Sequence, residues 1–111
     1  MITKFILFET VNIGKPEIGD FVVVKETHRE ELPEDLNNFL DNNIGELVFI
    51  SDVYHKMWFY VKYNNIPKTL ETWFENDVEV DTRDFTIDEI IYWSEKKEDL
   101  KAFIKGKQFD L

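Results

Sequence analysis

Three short runs rich in branched and aromatic residues constrain this chain more than any other feature. They are Phe21-Val22-Val23-Val24-Lys25, opened by Ile18-Gly19-Asp20, then Ile44-Gly45-Glu46-Leu47-Val48-Phe49-Ile50, and Met57-Trp58-Phe59-Tyr60-Val61-Lys62-Tyr63. Branched and aromatic side chains fit the pleated surface of a sheet, so each run predicts a strand. The three consecutive valines leave no polar face, which predicts a strand buried on both sides at one end. In the third run Met57, Phe59, Val61 and Tyr63 fall on one face and Trp58, Tyr60 and Lys62 on the other. The first set reads as core and the second as a partly exposed face.

Between these runs the pattern changes. Residues 2–8 predict a further strand, and Asn12-Ile13-Gly14-Lys15-Pro16 a turn or linker. Residues 26–31 are charged and read as a loop. Pro33, with Glu34 and Asp35 behind it, suits a helix N-terminus, and Leu32, Leu36, Phe39 and Leu40 recur at helical spacing. A helical insert is therefore expected over about residues 33–43. Ser51 to Lys56 reads as a turn, and Asn64-Asn65-Ile66-Pro67 closes the third strand. In the span 68–85, Leu70, Trp73 and Phe74 fit a short helical turn, and Asp77-Val78-Glu79-Val80-Asp81 alternates as a half-buried strand does. Residues 87–93 predict a strand. Ser94 reads as the N-cap of a C-terminal helix over about residues 95–105, with Leu100, Phe103 and Ile104 as its buried stripe and Gly106 at its C′ position. The class is α+β, mainly β.

With 111 residues, 43% of them hydrophobic, the chain reads as one domain spanning 1–111. Ten Phe, four Tyr and three Trp supply enough apolar area to drive folding without a disulfide or a metal. The absence of Cys excludes a disulfide framework, a thiolate nucleophile and any Cys-ligated metal. No apolar run approaches the roughly 20 residues that a membrane-spanning helix needs. The apolar run after Met1 ends at Glu9 without a small-residue cleavage site, so it reads as a structured first segment rather than a signal peptide.

The strand order and the Ile-Gly and Gly-Asp strand openings resemble SH3-like barrels, the group that includes KOW and Tudor modules. The matching pieces are Ile18 to Val24, Ile44 to Val48 and Tyr60 to Tyr63. The resemblance implies a small, partly open SH3-like barrel carrying the two helices. The chain is also similar to short uncharacterised proteins of tailed bacteriophages. The residues that carry this likeness are Lys4-Phe5-Ile6-Leu7-Phe8-Glu9, Tyr60 to Pro67, and Glu89-Ile90-Ile91-Tyr92-Trp93-Ser94. That resemblance implies a phage protein made in the cytoplasm of a bacterial host. It brings no catalytic residue and no cofactor.

No catalytic constellation is legible. The two histidines, His28 and His55, fall in expected turns, and no nucleophile signature surrounds Ser51 or Ser94. Asp77 to Arg83 spaces oxygens as a calcium loop begins, but Thr82 stands where that loop needs Gly and Arg83 brings positive charge, so no metal site is expected. A non-enzymatic role without cofactor is the expectation.

Charge and aromatics remain. The formal net charge is −10, from 23 acidic and 13 basic side chains. Such a field repels phosphate backbones and favours a protein partner with a basic surface, with no direct nucleic acid and no membrane. From Glu71 to Glu89 there are eight acids and one base, Arg83. Extended geometry over 77–81 would project Asp77, Glu79 and Asp81 on one face, about 6–7 Å apart. Together with Asp84, Asp88 and Glu89 they form either a row that mimics a DNA strand or a solvated edge that blocks aggregation. Trp58, Tyr60 and Trp73 are the candidate anchors. The expected function is a phage-encoded protein-binding module, in its sharpest form an acidic inhibitor of a host nucleic-acid-handling or defence enzyme. The alternatives are a structural or virion-assembly adaptor and, third, a small hydrolase.

Overall fold

The expected strands form one antiparallel sheet. A computed structural model describes residues 14–25, 32–77 and 80–109 of the chain, with the side chains at 77, 80 and 107–109 left aside. The expected strand at 2–8 and the loop at 26–31 lie outside the described residues. Six strands, β1 (Phe21–Val24), β2 (Gly45–Val53), β3 (Lys56–Lys62), β4 (Glu75–Asp77), β5 (Val80–Phe85) and β6 (Ile90–Ser94), pair in the order β4-β5-β3-β2-β1-β6. Among the described residues the sheet is not closed, and β4 and β6 are its two edges. Two α-helices accompany it, α1 (Glu34–Asn42) and α2 (Lys97–Phe109).

The valine run behaves as its composition predicts. Val22, Val23 and Val24 are all 0% exposed. Val22 and Val24 join Leu36 and Leu40 of α1, Leu47, Phe59, Val61 and Phe85 in the larger core cluster. Val23 faces the other way, into a smaller cluster with Tyr92 and Leu100, against which Phe21, Phe103 and Ile104 pack. The two helices therefore cover opposite faces of the sheet at β1. At the C-terminal end of β3 the larger cluster is closed by a triangle of Phe39, Tyr63 and Phe74, with ring centroids 5.6–6.0 Å apart.

Four expectations are corrected. Residues 51–56 are not a turn region, because β2 runs on to Val53 and pairs to the tip of a hairpin, Val53 opposite Lys56. Tyr54 and His55 alone make the turn, both left-handed with φ 51° and 64°. That geometry matches the strand twist, so two residues suffice, although the sequence lacks the usual Asn-Gly signal. Residues 77–81 are not one strand. Asp77 ends β4 and lies opposite Val80, with Asn76 opposite Asp81. Residues 87–93 are not all strand, because Ile87–Glu89 forms a 3₁₀ turn before β6. Here Glu89 Oε1 accepts from the Thr86 backbone N–H at 2.9 Å, which ties the turn to its own start.

The C-terminal helix is the fourth. It starts at Lys97, and Ser94 belongs to β6. The Ser94 hydroxyl accepts from the Lys96 N–H at 3.1 Å and donates to Asp99 Oδ2 at 2.7 Å, tying strand to helix without capping it. Gly106 does not end the helix, which continues to Phe109.

Two glycines separate close approach from mere permissiveness. A methyl group at Gly45 would overlap Val61 Cγ1 and stand 3.0 Å from the Tyr63 ring, whereas one at Gly106 meets nothing within 4 Å. Gly45→Ala is expected to lose about 1–3 kcal/mol of stability by overpacking, and Gly106→Ala to gain about 0.5–1 kcal/mol as a helix-interior replacement. Urea denaturation of both variants checks the opposite signs.

Burial, and then the negative charge of Asp99, holds the Tyr92 phenol above its ordinary range. The folded chain therefore keeps a proton that the unfolded chain releases from about pH 10 upward. This contribution to stability is intact below that pH and is lost as pH climbs through the raised folded value. Urea midpoints over an alkaline series should fall more steeply for the native protein than for Tyr92→Phe.

Candidate interaction surface

Among the described residues, the face of the sheet that carries α2 is covered over β1 and β6 alone. Register extends that face to the other strands. Phe21, packed against the α2 cluster, lies opposite Glu46, and Glu46 lies opposite Lys62. Alternation along β3 then puts Tyr60, Trp58 and Lys56 on the same side as Lys62. On β5 their neighbours are Asp84, opposite Tyr60, and Thr82, opposite Lys62.

A bulge in β2 completes the surface. Leu47 pairs with Val61 on the core side, but Phe49 pairs with Tyr60, leaving Val48 as the extra residue. Strict alternation would put Phe49 on the side of Leu47, in the core. The added residue turns it outward, where it is 55% exposed, and sends Ile50 inward to partner Phe59. The Phe49 and Tyr60 rings meet at 5.5 Å and 58°, and the Lys56 ammonium lies 4.7 Å from the centre of the Trp58 ring. Val53, 45% exposed and opposite Lys56, extends the patch to the hairpin tip, where Tyr54 is 95% exposed. Phe49, Val53, Trp58 and Tyr60 thus form an aromatic and aliphatic surface bordered by Lys62, Glu46 and Asp84. Large exposed apolar groups gathered on one face mark an interaction site more often than scattered ones do.

Of the residues singled out from sequence, Trp58, Tyr60 and Asp84 come together here. Trp73 does not. It ends the 3₁₀ turn Lys68–Trp73 and packs partly buried against the larger core cluster. Its carbonyl accepts from Arg83 Nη1 at 2.6 Å, with the guanidinium 5.9 Å from its ring. Arg83 is itself buried.

The carboxylates do not form one row. Asp77 and Asp81 stand on different strands, and Asp81 Oδ1 accepts from Asn76 Nδ2 at 2.6 Å. Glu79 lies outside the described residues. Asp88 is on the second 3₁₀ turn, 2.5 Å from the Thr86 hydroxyl. Glu89 is 1% exposed and holds a backbone N–H, so it cannot meet a partner. The reason is the change of direction between β4 and β5 together with the 3₁₀ turn, both of which interrupt the extended geometry that a row requires.

Phe49 is the functional candidate that sequence reasoning missed, because a one-residue bulge reverses the parity on which alternation depends. Among the described residues no three His, Asp or Glu side chains gather to hold a metal ion, and no helix is long and apolar enough to cross a membrane. On the core side of β3, at the hairpin end, a groove of about 590 Å³ opens between Lys15, His55, Met57, Phe59 and Ile87.

Compared with known protein families, with curated proteins and with solved structures, the chain finds no match.

The surface and the core should separate cleanly on substitution. Phe49→Ala is expected to change stability by less than about 1 kcal/mol, while Phe59→Ala, fully buried, costs about 3–5 kcal/mol. Urea denaturation of the two variants checks the contrast.

Proposed function

We propose that the chain is a non-enzymatic protein-binding module that engages its partner through the uncovered face of β2, β3 and β5. The observation that carries this reading is the Phe49 ring, turned out of the core by the bulge and tilted against Tyr60, with Trp58 on the same face of β3. Trp and Tyr are the commonest anchors of binding energy, and a ring held by a neighbouring ring loses little freedom when a partner covers it. The strand order β5-β3-β2-β1-β6, with a 3₁₀ turn before the last strand, supports an SH3-like barrel as the scaffold.

The partner we propose is a protein with a basic surface, met in the cytoplasm of a bacterial host by a phage-encoded chain. The net charge of −10 supports the electrostatic half of this reading by steering encounter with basic surfaces. Inhibition of a nucleic-acid-handling or defence enzyme is one form of it. With the carboxylates divided among separate elements, that form rests on overall charge rather than on a spaced row of acids.

The test is capture from bacterial lysate by the native chain, by Trp58→Ala and by Phe49→Ala, with and without duplex DNA as competitor. A partner retained by the native chain should be lost by about 30-fold in affinity on Trp58→Ala, the loss expected of a binding hot spot. Displacement by DNA would place the site on a nucleic-acid-binding surface. Equal retention by all three chains would overturn the assignment of this face.

A further inference from the structure

The β2–β3 hairpin outruns the sheet it belongs to. β2 pairs with β1 at Gly45 and Glu46 and bonds to Gly19 and Asp20 through Leu47, and β5 pairs with β3 from Phe59 to Lys62. Past those points β2 and β3 go on pairing with each other, Ser51 with Trp58, Asp52 with Met57 and Val53 with Lys56. Among the described residues, Ser51 to Trp58 therefore form a two-stranded arm with no third strand beside it.

The apex of this arm is strained. Tyr54 and His55 hold φ at 51° and 64°, in the left-handed region. For a residue with a bulky side chain that backbone costs roughly tenfold in the folding equilibrium, a cost that Asn-Gly at the same two positions largely avoids. Tyr54 is 95% exposed, so packing within the chain does not offset it. A large aromatic ring held on strained backbone at the end of an arm does nothing for the fold, which directs attention to a role outside it.

Charge narrows what the arm can enter. Ser51 to Trp58 carry one acid, Asp52, and one lysine, Lys56, besides His55, so the net charge of −10 lies outside the arm. A nearly neutral ribbon, its strands about 4.8 Å apart, loses little on leaving water for an apolar cleft. The acidic body behind it is complementary to a basic rim. The major groove of duplex DNA also admits a two-stranded ribbon, but the phosphates that border it repel this body.

We propose that the arm inserts into an apolar cleft set in the basic surface of the protein partner, with the Tyr54 ring as its leading anchor and the phenol O–H donating to an acceptor at the cleft floor. This rests on the proposed function and adds a second element to it, so that the partner is gripped at the hairpin tip as well as along the sheet face.

The test joins stability to binding. Tyr54→Asn with His55→Gly should lower the unfolding equilibrium constant about tenfold in urea denaturation. The same double variant should hold the protein captured by the native chain from bacterial lysate about 30-fold more weakly. Shifts of opposite sign separate lost binding from lost fold. His55→Gly alone keeps the ring and should keep affinity within about twofold, and a larger loss would overturn the assignment to Tyr54. An unfolding constant that does not fall would overturn the reading of the tip as strained. Full retention by the double variant, with the partner still lost on Trp58→Ala, would overturn the arm and leave the sheet face standing. Full retention by both, or no protein held by the native chain, would overturn arm and face together. Direct binding of duplex DNA that is lost with the double variant would overturn the choice of a protein cleft.

Discussion

Burial of β1 on both faces is the constraint from which the rest of the architecture follows. Four residues, Phe21 to Val24, are flanked by β2 on one side and β6 on the other. Because Val22 and Val24 face one way and Val23 the other, both faces of the sheet need cover at this strand, and both receive it. Each fully buried valine contributes about 1.5–3 kcal/mol relative to exposure, so leaving either side open would be costly. α1 supplies one cover through Leu36 and Leu40, and α2 the other through Leu100. Beyond β1 and β6, α2 no longer reaches, and the same face that is core at Val23 is surface at Tyr60. The candidate site exists because one short helix covers only part of a wider sheet.

The bulge at Val48 sets the character of that surface. Without it Phe49 would enter the interior beside Leu47 and Ile50 would turn outward. With it, a ring that would enlarge the core is placed beside Tyr60, while Ile50 takes the interior position. An exposed Phe gains nothing for folding, and its position is set by the register of the strand it belongs to. A change that removed the bulge would move every side chain of β2 beyond it to the other face. The aromatic patch and the core side of the hairpin are for this reason a single structural choice.

What was legible in the sequence was what depends on composition and on unbroken period. The double burial of the valines, the inward set Met57, Phe59, Val61 and Tyr63, the apolar stripes Leu36 with Leu40 and Leu100 with Phe103, and the partly exposed Trp58 and Tyr60 all rest on local repetition. What was not legible depends on a break in the period. The turn at Tyr54 and His55 uses left-handed backbone in residues that rarely adopt it. The carboxylates at 77–81 alternate as a strand does, yet β4 and β5 run antiparallel through that stretch, so alternation there describes two short strands rather than one. Ser94 and Gly106 have the right chemistry for helix ends, yet Ser94 pairs with Phe21 in β6 and α2 runs on past Gly106. Of the acids read as a surface row, Glu89 shows the difficulty most plainly. A carboxylate that satisfies a buried backbone N–H is indistinguishable in sequence from one that faces solvent.

An uncovered aromatic face on a small protein invites self-association, and the chain's charge opposes it. Two copies brought together each carry a formal −10, and their mutual repulsion grows as they approach within a screening length of about 8 Å at physiological salt. Lys56 and Lys62 on the face itself, with Glu46 and Asp84, add local charges that a copy would have to desolvate. Under the proposed function the same charge would discriminate among foreign partners: a basic protein would gain from the long-range field before burying Phe49, Trp58 and Tyr60, and an acidic one would be repelled. The excess of acid therefore needs no fixed row of carboxylates to matter. In the proposed role it would act through its total, with the aromatic face supplying the short-range contacts that a total charge cannot.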